Sequence, residues 1–267
     1  MRAYNNEFVG KTCVLIGCSR TTGVQIANRY AEEGMRVMIA DLNTDIVNIA
    51  ADVQSCFPDT KVEGYVLDVT DECAVEAFFK YVDDTCGRID MLHYNAGVIA
   101  PLKPVTELET KYYDLLYKVN VRGAAWAIKY GAEIMKKQDG GGSIVTTSSW
   151  YGRKGYAEAA AYCSSKAACI VLTQVAAIDL GPFGIRVNTI APGDVESPMT
   201  FDSMKIKAEH DGVAFEDLMK ARCDQHPLRK IATFTEVANI ALWLSSSQCT
   251  HTTGQTVYCD GGANLLF

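Results

Sequence analysis

The sequence holds no C-x-x-C pair, no repeat and no low-complexity tract, and none of its apolar runs approaches the ~18 residues that span a bilayer. Nor does it carry an excess of positive charge: 25 lysines and arginines stand against 32 acidic residues, a net charge of −7. That balance repels phosphate backbones and anionic lipid, so neither nucleic acid nor a membrane is expected as a partner. The ten cysteines lie singly, several in apolar segments (Cys13, Cys169, Cys259), and the nearest pairs are Cys13/Cys18 and Cys163/Cys169. A chain of 267 residues, 48% hydrophobic and 21% charged, buries enough core to need no disulfide staples, so most of these read as buried thiols. His93, His210, His226 and His251 stand apart without zinc-ligand spacing, and no metal is expected. The opening MRAYNNEFVGK lacks the apolar stretch of a secretion signal, which points to the cytoplasm.

What the chain does have is alternation. Short apolar segments rich in β-branched residues, TCVLIG (12–17), RVMIAD (36–41), VEGYVLD (62–68), DMLHYNAG (90–97), GSIVTTSS (142–149), GIRVNTIAPG (184–193) and GQTVYCDGG (254–262), read as strands. Helical patterns separate them near 23–34, 44–55, 72–86, 110–137, 159–180 and 235–246. Strands joined by helical crossovers predict a doubly wound α/β domain with a mostly parallel sheet of about seven strands covered on both faces. One domain is expected, and the stretch from Asp194 to Arg229, which follows a strand end, is expected to form a lid over the edge where such sheets bind ligands.

VLIGCSRTTGVQIA (14–27) passes from the first strand through Gly17 and Gly23 into a helix. Gly17 permits a tight turn and Gly23 a close helix, with the helix amides pointing at whatever lies above. Thr21 stands where a third glycine might be expected; its side chain could crowd a pyrophosphate, cap the helix or donate to a phosphate oxygen. Two glycines alone suit a structural turn as well as a nucleotide site. Asp41, 18 residues beyond Gly23, ends the second strand, where a carboxylate accepts ribose hydroxyls; capping the helix near 44 is its other reading.

Tyr162 and Lys166 are four apart on a predicted helix and share a face. The spacing carries little by itself. Ser149 adds weight, because it ends a strand leading to this helix and so lies at the same carboxyl edge as Gly17. A phenol is a poor base near neutrality, an adjacent ammonium favours its phenolate, and a serine hydroxyl beside it can hold a carbonyl or hydroxyl oxygen.

Taken together these motifs resemble the short-chain dehydrogenase/reductase family of single-domain type, from about residue 8 to residue 263. They occur in the family's order: the turn Gly17 to Gly23, LDV with Asp68 and Val69, NAG at Asn95, Ala96 and Gly97, and Asn120 in KVNVRGA. Ser149, Tyr162 and Lys166 follow, then IRVNTIAPG and TGQTVYCDGG. The resemblance implies that Tyr162 is the general acid/base, that Ser149 orients the substrate oxygen, and that Lys166 holds the nicotinamide ribose and favours the phenolate. Asn120 would bend its helix and support a water that relays protons to Lys166. Asp68 and the Val69 amide would meet the adenine, and Asn95, followed by Ala96 and Gly97, would close the adenosine side. Pro192 and Gly193 would begin the nicotinamide loop, with Val195 and Ser197 on the carboxamide. Ser19, Arg20, Thr21, Thr22, Asp41 and Leu42 complete the expected cofactor contacts. Thr21 for the middle glycine, Ile16 for the usual threonine and Ser197 for threonine depart from the family pattern.

The implied chemistry is reversible hydride transfer between a nicotinamide and a secondary alcohol or ketone. Asp41 would repel a 2′-phosphate, which favours NAD; Arg20, where the family often meets that phosphate, is the argument for NADP unless it is solvated or pairs with Asp41. Trp150, Tyr151 and Tyr156 follow the serine, and Met199, Phe201, Met204, Phe215, Leu218 and Met219 line the expected lid. Those apolar residues either pack on the domain or roof a pocket for a hydroxysteroid or cyclic alcohol. A polyol or sugar dehydrogenase and a catalytically idle NAD-binding scaffold are the alternatives. Relatives commonly form tetramers, and Ala157, Ala159, Ala160, Ala161, Ala167 and Ala168 would permit close helix approach.

Overall fold

The computed structural model describes residues 4–18 and 21–266. Strands β1 (Thr12–Ile16), β2 (Arg36–Asp41), β3 (Val62–Val66), β4 (Met91–Tyr94), β5 (Gly142–Thr147), β6 (Ile185–Pro192) and β7 (Thr256–Cys259) form one sheet in the order β3-β2-β1-β4-β5-β6-β7. Every neighbouring pair is parallel. β1 is buried along its whole length, as a strand covered on both faces must be. The chain builds outward from β1 to β3, then returns to β4 on the other side of β1. Successive crossovers therefore leave on opposite faces there, and a crevice opens at the carboxyl ends.

The register fixes what meets at that edge. Ile16 pairs with Ala40 and Tyr94, Tyr94 with Thr146, and Thr147 with Ile190. The residues just beyond, Gly17, Asp41, Asn95, Ser149 and Gly193, therefore share one rim.

Helices α1 (Thr21–Glu32), α2 (Ile46–Cys56) and α9 (Phe234–Ser245) cover one face, burying Ile26, Tyr30, Val53 and Leu242 against Leu15 and Ile39. α3 (Glu72–Cys86), α5 (Ala124–Met135) and α6 (Ala160–Leu180) cover the other, where Phe78, Phe79 and Ala176 pack with Val14 and Ile144. Local signals set the ends. Asp71 accepts from the Cys73 and Ala74 amides to start α3, Gly87 ends it at φ +67°, and Thr233 with Glu236 forms a reciprocal cap on α9.

Four details differ from the sequence reading. The tract 110–137 is interrupted: α4 (Thr110–Leu116) and α5 are joined by a π-helical segment, Tyr117–Gly123. Its cause is local. The Tyr94 hydroxyl donates to the Val119 carbonyl at 2.6 Å, and Gly123 gives it room, since a Cβ there would lie 2.4 Å from that oxygen. Asp41 does not cap α2, whose N-cap position is Asp45. The stretch after residue 194, expected as a lid and given no elements there, contains two helices, α7 (Pro198–Asp211) and α8 (Phe215–Asp224). Finally, Ala160–Phe183 is long and apolar enough, by length and composition, to cross a membrane, although Lys166 interrupts its apolar run. In the fold it flanks the sheet, with Lys166, Thr173, Ala176 and Ala177 buried.

Tyr94→Phe removes the hydroxyl that holds the π segment. Losing that buried hydrogen bond should cost about 1–2 kcal/mol, read as a lower urea midpoint at unchanged slope. An unchanged midpoint would show that the segment does not depend on it.

Candidate active site

On the β1 side of the rim, backbone geometry builds the turn. Gly17 has φ +95°, and a Cβ on it would lie 2.4 Å from the Ala96 amide nitrogen. A Cβ on Gly23 would fall 2.4 Å from the Cys18 Cα, so the two glycines bring α1 and the Asn95–Ala96 loop onto the turn. Asn95 Nδ2 donates to the Gly17 carbonyl at 2.9 Å, and the Cys18 amide donates to Asp41 Oδ2 at 2.9 Å. Asp41 Oδ1 also receives the Asn43 amide at 3.0 Å, and Leu42 between them is exposed. Thr21 and Thr22 form the first turn of α1; Ser19 and Arg20 lie outside the described residues. Asp68, exposed beyond β3, accepts from the Thr70 amide at 2.8 Å, and Val69 is buried beside Gly123.

The centre of the rim holds Lys166, Tyr162, Ser149 and Asn120. Lys166 is buried to 4% exposure on α6, and its Nζ donates to the Thr147 carbonyl at 3.0 Å, where β5 ends. Among the described residues no carboxylate pairs with it. Its Nζ lies 5.7 Å from the centre of the Tyr162 ring, and a Cβ on Gly97 would come within 3.1 Å of it. Ser149 is buried, and its Oγ accepts the Tyr151 amide at 3.2 Å, which leaves the hydroxyl proton to be donated elsewhere. Asn120, at the middle of the π segment, accepts the Val98 amide at 2.8 Å and donates to the Val98 carbonyl at 3.1 Å and to Ser165 Oγ at 3.0 Å. It thus ties the loop after Gly97 to α6.

Two neighbouring tyrosines contrast with Tyr162. Tyr151 meets the Tyr162 ring edge-on at 5.9 Å and Tyr156 lies 4.1 Å from Tyr151. Burial pushes both phenols above their ordinary range, which keeps them protonated. Of the three, Tyr162 is the one whose ring faces the buried ammonium.

The β6 side is fastened by side chains that sequence reasoning missed. Pro192 ends β6, and the Gly193 amide donates to the Cys259 carbonyl at 3.0 Å. Val195 bridges Ala232, and Ser197 caps α7 by accepting the Thr200 amide at 2.9 Å. Asp194 takes a two-pronged bond from Arg222 of α8, at 2.6 and 2.8 Å, and His226 Nε2 stands 3.1 Å from the same carboxylate. The His226 ring stacks on Trp150 at 5.8 Å. These partners are 28 and 32 residues apart, so no local pattern announces them. Trp150, Tyr151, Tyr156 and Arg222, with Lys154 and Gln225, line a cavity of about 440 Å³, and the Tyr156 hydroxyl is buried without a hydrogen-bond partner among the described residues. Phe201 and Phe215 meet edge-on at 6.5 Å, so part of the expected apolar roof is engaged in packing α7 on α8. The Met199 side chain lies outside what the structure describes.

Comparison with known proteins matches residues 17–264 to the family described as enoyl-(acyl carrier protein) reductase. Galactitol 2-dehydrogenase of Agrobacterium fabrum is 33% identical over 94% of this chain and 96% of its own length. The chain belongs to the short-chain dehydrogenase/reductase family. Levodione reductase of Leifsonia aquatica is 29% identical over 98% of this chain and 97% of its own. The solved structure of an NAD⁺-bound xylitol dehydrogenase superposes with a TM-score of 0.87 at 30% identity, covering 96% of this chain and 100% of that one. The protein is an oxidoreductase that moves hydride between a nicotinamide cofactor and a secondary alcohol or ketone.

Gly17→Ala should be severe, because a Cβ at that backbone angle meets a main-chain nitrogen that cannot swing aside. We expect a lower melting temperature and at least tenfold weaker cofactor binding by tryptophan fluorescence, from about 1.4 kcal/mol or more of lost fit. Wild-type affinity in this variant would remove the turn from the cofactor site.

Proposed function

We propose that this chain is an NAD-dependent dehydrogenase of polyols or related cyclic secondary alcohols, with Tyr162 as its general acid/base. One observation carries the reading: a buried lysine without a carboxylate partner among the described residues, beside a tyrosine at the carboxyl edge of a parallel sheet. An ammonium at that depth is costly unless polar groups compensate it, and here it is held by a carbonyl within reach of the Tyr162 ring.

The donor set fits a nicotinamide dinucleotide. The N-terminal amides of α1 suit a pyrophosphate, the Asp41 carboxylate suits ribose hydroxyls, and the Lys166 ammonium suits the nicotinamide ribose. Asp68, Val69 and Leu42 flank the adenine end, and Pro192, Gly193, Val195 and Ser197 the nicotinamide end. The bound cofactor supplies the hydride acceptor or donor. The protein does the rest. Ser149 donates to the substrate oxygen and holds it against Tyr162. Tyr162 takes the hydroxyl proton in oxidation and returns it in reduction. Lys166 steadies the phenolate, and Asn120 holds the Gly97–Val98 turn over that lysine, with the second lone pair of its amide oxygen left for a relaying water.

NAD is preferred because the carboxylate of Asp41 would face the dianion of a 2′-phosphate. A polyol is favoured by the mixture of aromatic walls and polar tips in the 440 Å³ cavity, and by the galactitol and xylitol dehydrogenases among the relatives. The cyclic-alcohol reading, which includes hydroxysteroids, rests on those same aromatic walls and on levodione reductase. The protein acts as one domain whose segment 194–229 closes the substrate side. We place it in the cytoplasm as a homotetramer, the latter on exposed Val171, Val175 and Ile178 along α6 and Leu265 and Leu266 near the C-terminus.

Tyr162→Phe should lose about 10² to 10⁴-fold in turnover while cofactor affinity stays within twofold; unchanged turnover would end the assignment. Titrating wild type with both nucleotides should give tighter NAD⁺ than NADP⁺, and a panel of polyols and hydroxysteroids should give faster turnover of polyols. Tighter NADP⁺ binding, or turnover confined to steroids, would reverse the corresponding choice.

A further inference from the structure

Beneath the cofactor rim runs a line of hydrogen bonds that proton transfer at Tyr162 does not use. Tyr30 of α1 and His93 of β4 are fully buried, and the Tyr30 hydroxyl lies 2.6 Å from His93 Nδ1. Across the ring, His93 Nε2 lies 2.9 Å from Thr147 Oγ1. Thr147 Oγ1 stands 3.2 Å from Asn95 Oδ1, Asn95 Nδ2 stands 2.9 Å from the Gly17 carbonyl, and the next amide, Cys18 N–H, donates to Asp41 Oδ2.

The direction of every bond follows from one end. A backbone carbonyl only accepts, so Asn95 turns its NH₂ to Gly17 and its Oδ1 to Thr147. That oxygen also only accepts, so Thr147 gives it its single hydroxyl proton. The contact with His93 must then be donated by Nε2–H, which leaves Nδ1 bare for the Tyr30 proton. One imidazole tautomer and one amide orientation satisfy the whole line. The ring is neutral at working pH, since burial lowers its pKa to about 3.

We propose that Tyr30 and His93 are positioning residues for the adenosine half of the cofactor site. They orient the Thr147 hydroxyl, Thr147 orients Asn95, and Asn95 with Asp41 pins the peptide plane between Gly17 and Cys18 from both sides. The line ends on a carboxylate, the strongest acceptor available, so its bonds polarise one another in a single direction. Thr147 also presents its main-chain carbonyl to Lys166, so the residue that receives the signal from His93 is the one that seats the catalytic lysine. This inference rests on reading the rim as a nicotinamide dinucleotide site.

The test is equilibrium titration of NAD⁺ and NADP⁺ against wild type, Tyr30→Phe, His93→Val, Thr147→Val and the His93→Val/Thr147→Val double variant. Thr147→Val should weaken binding of the preferred nucleotide about tenfold, and His93→Val and Tyr30→Phe about fivefold, the scale of one buried hydrogen bond. The double variant should bind no more weakly than Thr147→Val alone, because His93 then has nothing to transmit; a purely structural role would instead add. Turnover at saturating cofactor should stay near wild type in Tyr30→Phe and His93→Val. Wild-type affinity in His93→Val, or additive losses, would overturn the proposal. If the variants fail to fold, nitrogen NMR of wild type still decides it: His93 should hold the neutral Nε2–H tautomer from about pH 5 to 9, and an Nδ1–H ring or an imidazolium would overturn it. A wild type that binds neither nucleotide would defeat the cofactor reading and the inference with it, whereas binding that the variants leave unchanged would defeat the inference alone.

Discussion

The ammonium of Lys166 is the group that the rest of the active site accommodates. It sits at the sheet edge with a carbonyl for a partner and without a carboxylate among the described residues, a position that would be untenable in an apolar core. The surrounding fold keeps it there by fixing its main chain as well as its side chain. Ser148 Oγ donates to the Lys166 carbonyl at 2.7 Å, and Gly152 approaches the same carbonyl so closely that a Cβ would come within 2.9 Å. The segment between β5 and α6 is thereby folded back on the helix at the lysine itself. Gly97 clears the space above the ammonium, and Asn120 holds the loop that carries Gly97. Remove any of these and the charge either meets water or loses its distance to Tyr162.

The architecture explains why this cluster lies on the same rim as the glycine turn. In a parallel sheet every strand ends at the same edge, so β1, β4, β5 and β6 deliver their following residues to one rim whatever their separation in sequence. Gly17, Asn95, Ser149 and Gly193 are far apart in the chain and adjacent in register. The π segment adds a local device. By widening one turn it rotates Asn120 inward, and Tyr94, the last residue of β4, supplies the hydroxyl that holds the widened turn.

Much of this was legible in the sequence, and the reason is periodicity. Seven short apolar runs with helical crossovers give a parallel sheet, and a parallel sheet gives the rim. The glycines at 17 and 23, Asp41, and the Ser149, Tyr162 and Lys166 set stand at strand or helix boundaries that sequence pattern marks. What could not be read were contacts made by side chains distant in the chain. Nothing near Asp194 announces Arg222 or His226, and nothing near His93 announces Tyr30, 63 residues earlier. The π segment was half legible: the resemblance implied a bend at Asn120, but the hydroxyl bonded to it belongs to Tyr94 on another strand. Asp41 had two local readings, a ligand to ribose and a cap; the structure removes the cap, since Asp45 stands at the start of α2, and shows Asp41 accepting the backbone amides of Cys18 and Asn43.

The two halves of the rim are tied differently: main-chain atoms dominate on the β1 side, and long-range side-chain bonds join main-chain ones on the β6 side. On the β1 side the turn is fixed through main-chain atoms: Gly17 by its carbonyl, Cys18 by its amide, and both glycines by contacts that leave no room for a side chain. Such a turn cannot move without breaking the sheet edge, which suits a surface that must receive the same rigid group at every turnover. On the β6 side, α7 and α8 are fastened through Asp194, Arg222 and His226, whose bonds join side chains across the segment. Of the cavity lining, Arg222 belongs to α8, whereas the aromatic walls, Trp150, Tyr151 and Tyr156, lie on the connection from β5 to α6. Both kinds of tie follow from the same topology, because the strand ends fix the β1 side of the rim and the long connection after β6 supplies the distant ties of the other.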